Sequence, residues 1–127
     1  MWGRVPFSIA DNCAVDVRNL AASREWYKKT LGLRDARDVR VEDSGRLFVD
    51  LRMEDDGPCI SLLELKADES AEDRHVIFFA GNLEKAQQWL VGRQVFVEPI
   101  IVDSGGNRLF RFQDPEGNKI EVCVEPG

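Results

Sequence analysis

Asn19-Leu20-Ala21-Ala22-Ser23-Arg24-Glu25-Trp26-Tyr27 is answered 63 positions later by Asn82-Leu83-Glu84-Lys85-Ala86-Gln87-Gln88-Trp89-Leu90. The matched positions are those where a helix is capped and packed: Asn19 with Asn82, Leu20 with Leu83, Ser23 with Ala86 and Trp26 with Trp89. The same step carries Asn12 to His75. Further out, Arg46-Leu47-Phe48 recurs as Arg108-Leu109-Phe110 at a step of 62, and Glu64 in Leu-Leu-Glu-Leu lines up with Glu121 in Lys-Ile-Glu-Val at a step of 57. The shrinking step implies a shorter final hairpin in the second copy. A repeated unit of about 60 residues is a supersecondary motif that buries its apolar face against its twin.

A chain of 127 residues has the length of one ordinary domain, so the copies are expected to share one core as a single domain of two modules. With 43% hydrophobic and 31% charged residues, the composition is that of a globular protein. No apolar run reaches the roughly 18 residues needed to span a bilayer, and the N-terminus lacks a signal-peptide apolar core, so no membrane partner and a cytoplasmic location are expected. Cys13, Cys59 and Cys123 are odd in number and lack Cys-x-x-Cys spacing, which points to reduced, buried thiols. The net charge of −6, with no basic stripe, excludes nucleic acid as the expected partner. The acidic balance suits a cationic ligand, and equally suits solubility alone.

Residues 11–17 alternate so that Cys13, Val15 and Val17 share one face, which predicts a half-buried strand. Asn19 caps a helix over 20–31, with Leu20, Tyr27 and Leu31 on one stripe and Gly32 at its end. Strands are predicted at 34–42, 46–53 and 59–66, separated by Asp43-Ser44-Gly45 and Glu54-Asp55-Asp56-Gly57-Pro58. This makes a first βαβββ module over 11–66. A polar linker at 67–73 leads to a second βαβββ module over 74–125, with a strand at 74–80, a helix at 83–91 and strands at 95–102, 107–113 and 118–124. The fold class is therefore α+β, two tandem modules forming a curved mixed sheet with a concave site. Asp114-Pro115-Glu116-Gly117-Asn118 is turn chemistry and receives no catalytic role.

Strand parity sorts the faces, because the more apolar face packs under the helices. In the second module it leaves His75, Ile77, Phe79, Leu109, Arg111, Glu121 and Cys123 on the opposite face. In the first module Asn12, Ala14, Asp16, Ile60, Leu62 and Glu64 are placed on that face. Asn12, Glu64, His75 and Glu121 then fall at duplicated positions of one concave surface. Trp26 and Trp89 read as packing residues, and Trp2 and Phe7 in the N-terminal arm are candidates for a contact with a partner subunit.

The segments Val17 to Tyr27, running on to Leu31-Gly32-Leu33, and Phe112-Gln113-Asp114-Pro115-Glu116-Gly117-Asn118-Lys119-Ile120-Glu121 resemble the vicinal oxygen chelate superfamily. That superfamily includes glyoxalase I, bleomycin-binding resistance proteins, fosfomycin-modifying enzymes and extradiol dioxygenases. The resemblance implies four metal ligands from the first and last strands of the modules, at positions matching Asn12, Glu64, His75 and Glu121. Asn12 departs from the histidine or glutamine of the family. Asp16 and Asp68 replace an arginine and an asparagine that glyoxalase I uses for glutathione, which argues against glutathione as cosubstrate.

One imidazole, two carboxylates and an amide oxygen suit a divalent ion such as Ni²⁺, Zn²⁺, Co²⁺ or Mn²⁺. The implied activity is a glyoxalase-like, metal-dependent lyase or isomerase acting on a small oxygenated substrate through an enediolate-type intermediate. Glu121 is the preferred proton-shuttling base, with its twin Glu64 as the other candidate. Arg111, Leu109 and Phe79 are candidate substrate contacts, and Arg111 is open to a second role as an ion-pair partner of Glu64 or Glu121. The alternative is a metal-free homodimer that sequesters a cationic small molecule, as bleomycin-binding members do. A structural role for His75 and the two glutamates stays open beside both.

Overall fold

The computed structural model describes residues 5–125. In the first module the alternating apolar residues build strand β2 (Cys13–Val17), with Val15 and Val17 buried. Helix α1 (Leu20–Leu31) starts where Asn19 is extended and its Oδ1 accepts the Ala22 N–H at 3.0 Å. It stops at Gly32, whose φ of 73° is left-handed and whose N–H donates to the Tyr27 carbonyl. The second module begins with β7 (Val76–Ala80) and repeats the device in α2 (Leu83–Val91), where Asn82 Oδ1 accepts the Lys85 N–H at 2.9 Å.

The remaining strands are β1 (Ser8–Ile9), β3 (Arg34–Asp35), β4 (Arg40–Val41), β5 (Leu47–Arg52), β6 (Cys59–Glu64), β8 (Ile101–Val102), β9 (Arg108–Gln113) and β10 (Lys119–Val124). They form two five-stranded sheets rather than one continuous sheet. One has the order β2-β6-β5-β3, with β4 also paired to β5; the other has the order β1-β7-β10-β9-β8. Each is mixed, since β2 runs parallel to β6 and β7 parallel to β10, while the other pairings are antiparallel. Residues 34–42 and 95–102 are less regular than their composition predicts. The first splits into β3 and β4, and the second keeps only Ile101–Val102 as a strand plus a single bridge between Val97 and Phe112.

Register corrects two steps of the internal alignment. Val15 pairs with Leu62 and Phe78 with Val122, so Leu62 is the twin of Val122, 60 positions on. Val49 pairs with Leu62 and Phe110 with Val122, which makes Val49 the twin of Phe110, 61 positions on. The step along β5 and β9 is thus 61, not 62, and the step along β6 and β10 is 60, not 57. In a strand an odd slip turns every side chain to the other face. The placement of Ile60, Leu62 and Glu64 on the face away from the helix is therefore overturned. Ile60 and Leu62 are fully buried in the core beside Val15 and Val17, and Glu64 pairs with Val17 on that same face. The twin of Glu121 is Ser61.

A single hydrophobic cluster draws on both modules, taking Val17, Tyr27, Leu31 and Leu62 from the first and Phe78, Leu90, Phe110 and Ile120 from the second. The N-terminal arm belongs to this cluster too. Phe7 is buried and meets the Phe78 ring edge-on at 5.4 Å, and Ser8–Ile9 pair with Phe79 and Phe78, so Phe7 is spent inside its own chain. Trp2 lies outside the described residues. Trp89 packs as expected and donates its indole N–H to the Thr30 carbonyl at 2.9 Å, tying α2 to α1.

The Asp114-to-Asn118 turn does more than reverse the chain. Asp114 is buried and accepts the Tyr27 hydroxyl at 2.7 Å, the Glu116 and Asn118 N–H groups at 2.9 Å each, and the Asn118 side-chain amide at 2.9 Å. Burial, then the Asp114 charge, pushes the Tyr27 phenol well above its ordinary range, so it stays a donor. Tyr27→Phe deletes a buried bond to a charged acceptor and should cost about 1.5–3 kcal/mol in urea unfolding.

A second bond system fixes β3 to α1. Arg24 grips Asp35 through two bonds of 2.8 and 2.7 Å, and Lys28 adds one of 2.9 Å. The Arg24 bonds, reinforced by Lys28, hold the Asp35 carboxyl down at about 2. The unfolded-state value is about 3.9, so this stabilisation is complete above that pH and disappears as pH falls through about 2. The stability difference between the wild type and Asp35→Asn should be constant from pH 7 to 5 and shrink between pH 4 and 2, measured by urea titration at each pH.

Candidate functional site

The outward face of the second sheet, opposite Phe78, Phe110 and Ile120, carries the polar groups. Because Val76 pairs with Ile120, His75 lies beside Lys119 and one step along the sheet from Glu121 on the same face. Glu121 pairs with Ile77 on one side and Arg111 on the other. The next row is Phe79, Cys123 and Leu109. His75, Arg111 and Glu121 line a cavity of about 340 Å³, joined by Asp73, Arg74 and Glu98. Arg111 Nη2 stands 3.4 Å from Glu121 Oε1, an ion pair between two residues that line the same cavity.

Leu109 and Phe79 share this face but do not line the cavity. Leu109 is buried beside Cys123, and Phe79 borders a different cavity with Phe7 and Met53. The Cys123 thiol, raised by burial and then by the Glu121 charge, donates weakly to the Phe78 carbonyl at 3.8 Å. Cys13 is pushed up to about 11, by burial first and by Asp11 second. All three cysteines are free thiols, and neither Cys13 nor Cys123 is poised as a thiolate.

The first-module residues are placed elsewhere. Asn12 precedes β2 in the other sheet and turns its Oδ1 to the Cys59 N–H at 2.8 Å. Glu64 lies at the start of α1, where Oε2 accepts the Leu20 N–H at 3.3 Å. A carboxylate there stabilises the positive end of a helix that has no acidic residue in its first turn. Within one chain the structure thus brings His75 and Glu121 together and leaves Asn12 and Glu64 apart from them.

The donor set does not fit the implied four-ligand ion. The position equivalent to Glu121 holds Ser61, whose Oγ donates to Asp50 Oδ1 at 2.5 Å. Asp50 in turn receives Arg40 Nη2 at 2.7 Å. Among the described residues no three His, Cys, Asp or Glu side chains converge as metal ligands would. Sequence reasoning missed Ser61 and Asp50; counting parity outward from the apolar pair Ile60 and Leu62 finds both. Asp16, placed by parity on the face away from the helix, is a buried carboxylate that accepts the Glu72 N–H at 2.9 Å and lies 3.5 Å from Arg74 Nε, beside the His75 cavity.

The Glyoxalase/Bleomycin resistance protein/Dioxygenase superfamily model matches residues 9–122. No curated protein matches the chain in sequence. Among solved structures, a member of that superfamily from Sphaerobacter thermophilus is 20% identical with a TM-score of 0.74, over 91% of this chain and 96% of that one. A glyoxalase family protein from Enterococcus faecalis is 20% identical with a TM-score of 0.71, over 91% and 96%. A lactoylglutathione lyase from Agrobacterium tumefaciens is 17% identical with a TM-score of 0.62, over 91% and 92%. These likenesses carry the fold, and the family match covers both modules and the cavity between β7 and β9. The chain belongs to the glyoxalase, bleomycin resistance and dioxygenase superfamily.

Proposed function

We propose that this chain is a small-molecule binding protein of the bleomycin-resistance type, acting without a metal as a homodimer. The observation that carries the reading is the fate of the second carboxylate. The glutamate that a metal site would need is committed to the N-terminus of α1, and its register position is held by a serine bonded to Asp50. Asn12 is likewise committed, to a backbone N–H. The cavity sets the carboxylates Asp73, Glu98 and Glu121 beside Arg74, Arg111 and Lys119, which suits a ligand carrying both a cationic group and a polar acceptor, the latter oriented by Arg111 and His75. Its volume lies at the small end of the range for ligand pockets, about 300–1,000 Å³. A second copy laid against this outward face would exclude water and strengthen each charged contact.

Untagged protein should purify with substoichiometric metal by elemental analysis and bind a cationic probe such as bleomycin equally well before and after chelator treatment. Stoichiometric metal, lost in His75→Ala, would overturn this reading in favour of the metal-dependent lyase.

The two glutamates separate cleanly by role. Glu121→Gln should weaken binding of the cationic probe about tenfold, or about 1.4 kcal/mol by calorimetry, at little cost in stability. Glu64→Gln should leave binding unchanged and lower unfolding free energy by about 0.3–1 kcal/mol, the worth of a charge at a helix end.

A further inference from the structure

The outward face of the first sheet is a separate surface with its own charge pattern. Arg34 pairs directly with Arg52, and Arg40 pairs with Phe48, so these arginines share the face of Phe48, Asp50 and Ser61. Like charges directly opposite one another repel, which makes a paired Arg34 and Arg52 a costly choice in a chain of net charge −6. Their counter-ions are few. Arg34 bonds to Asp55, an exposed side chain, while Arg52 reaches that carboxylate only at 3.8 Å. Arg40 stacks over the Phe48 ring at 4.7 Å and bonds to Asp50, whose other oxygen is taken by Ser61. Three guanidinium groups therefore face two aspartates. The Nε atoms of Arg40 and Arg52, like that of Arg46, are shielded and have no acceptor among the described residues, so each guanidinium keeps an unpaired donor.

We propose that this face, at Arg34, Arg40 and Arg52, is an anion-binding site for a ligand carrying a carboxylate or a phosphate group. Guanidinium forks match both groups bidentately, and their weak hydration makes them the usual choice for such contacts. The register supplies the contrast that sets this face apart. Asp50 is the twin of Arg111 and Ser61 the twin of Glu121, so the ion pair of the second-module site has no counterpart in the first, and the arginines of this face come from β3, β4 and the end of β5 instead. The face lies on a different sheet from the His75 cavity.

The test is a titration of the full chain, followed through its arginine Nε–H signals by ¹H–¹⁵N NMR, with inorganic phosphate and with succinate against sodium chloride at matched ionic strength. Saturable shifts of Arg40 and Arg52 with either probe support the site; saturation by phosphate alone assigns a phosphate-bearing ligand, and by succinate alone a carboxylate. Arg52→Gln should weaken the saturating probe by at least about tenfold. Asp50→Asn removes the competing carboxylate and should tighten it several-fold, which keeps the proposal open to test if the arginine variant fails to fold. No saturable response beyond that of chloride, saturation unaffected by Arg52→Gln, or binding unchanged or weakened in Asp50→Asn would overturn it.

Discussion

The N-terminus of α1 is the seam where polar bonds from the second module fix the first helix of the first. Its free N–H groups are met by a carboxylate from the far end of the chain: Glu116 accepts the Arg18 N–H at 2.6 Å, the Asn19 N–H at 3.0 Å and the Ser23 hydroxyl at 3.2 Å. Glu64 takes the Leu20 N–H from below, and Asn19 caps Ala22 within the helix. These bonds give protein partners to donors that a helix start leaves free, and set negative charge at its positive dipole end. Asp114 holds the turn that presents Glu116, and Tyr27 fixes that turn against the helix one face round. Everything on the outward faces inherits its position from this seam, because it sets how one sheet lies against the other.

That seam gives the Asp-Pro-Glu-Gly-Asn segment its structural role. Proline and glycine supply the turn, with Gly117 at a φ of 86°. Asp114 and Glu116 are there for their oxygen atoms. Reading the segment as turn chemistry identifies the local conformation and leaves out the partner, which lies about 90 residues away in sequence and is invisible to any local rule.

Much of the architecture is legible without coordinates because helix caps and alternating strands are local. Asn19, Asn82 and Gly32 mark helix limits, and Val76, Phe78, Ile120 and Val122 mark a buried face by parity alone. The candidate site was half legible. His75, Arg111 and Glu121 fall together because the second module's strands were phased on their apolar residues. Glu64 is not placed correctly by sequence identity, because the match between two Leu- or Ile-Glu segments conflicts with the phase of Ile60 and Leu62, and the recurring Arg-Leu-Phe tripeptide is out of register by one residue. Identity of a few letters is weak evidence beside burial, since a core position tolerates several apolar residues and a turn gains or loses residues freely.

The exchange of parts between modules also bears on how the chain reaches its native state. Strand β1, ahead of the first module in sequence, completes the second sheet beside β7, while Glu116, from the final turn of the second module, caps the first helix of the first module. Neither half contains all that its own fold requires. Contacts of such long sequence separation slow folding, because the loop between them must close before they repay its entropy. A nascent chain of this kind gains little from folding its first half early. The duplicated halves are repeats in sequence and shape, yet each is completed by contacts that only the other supplies.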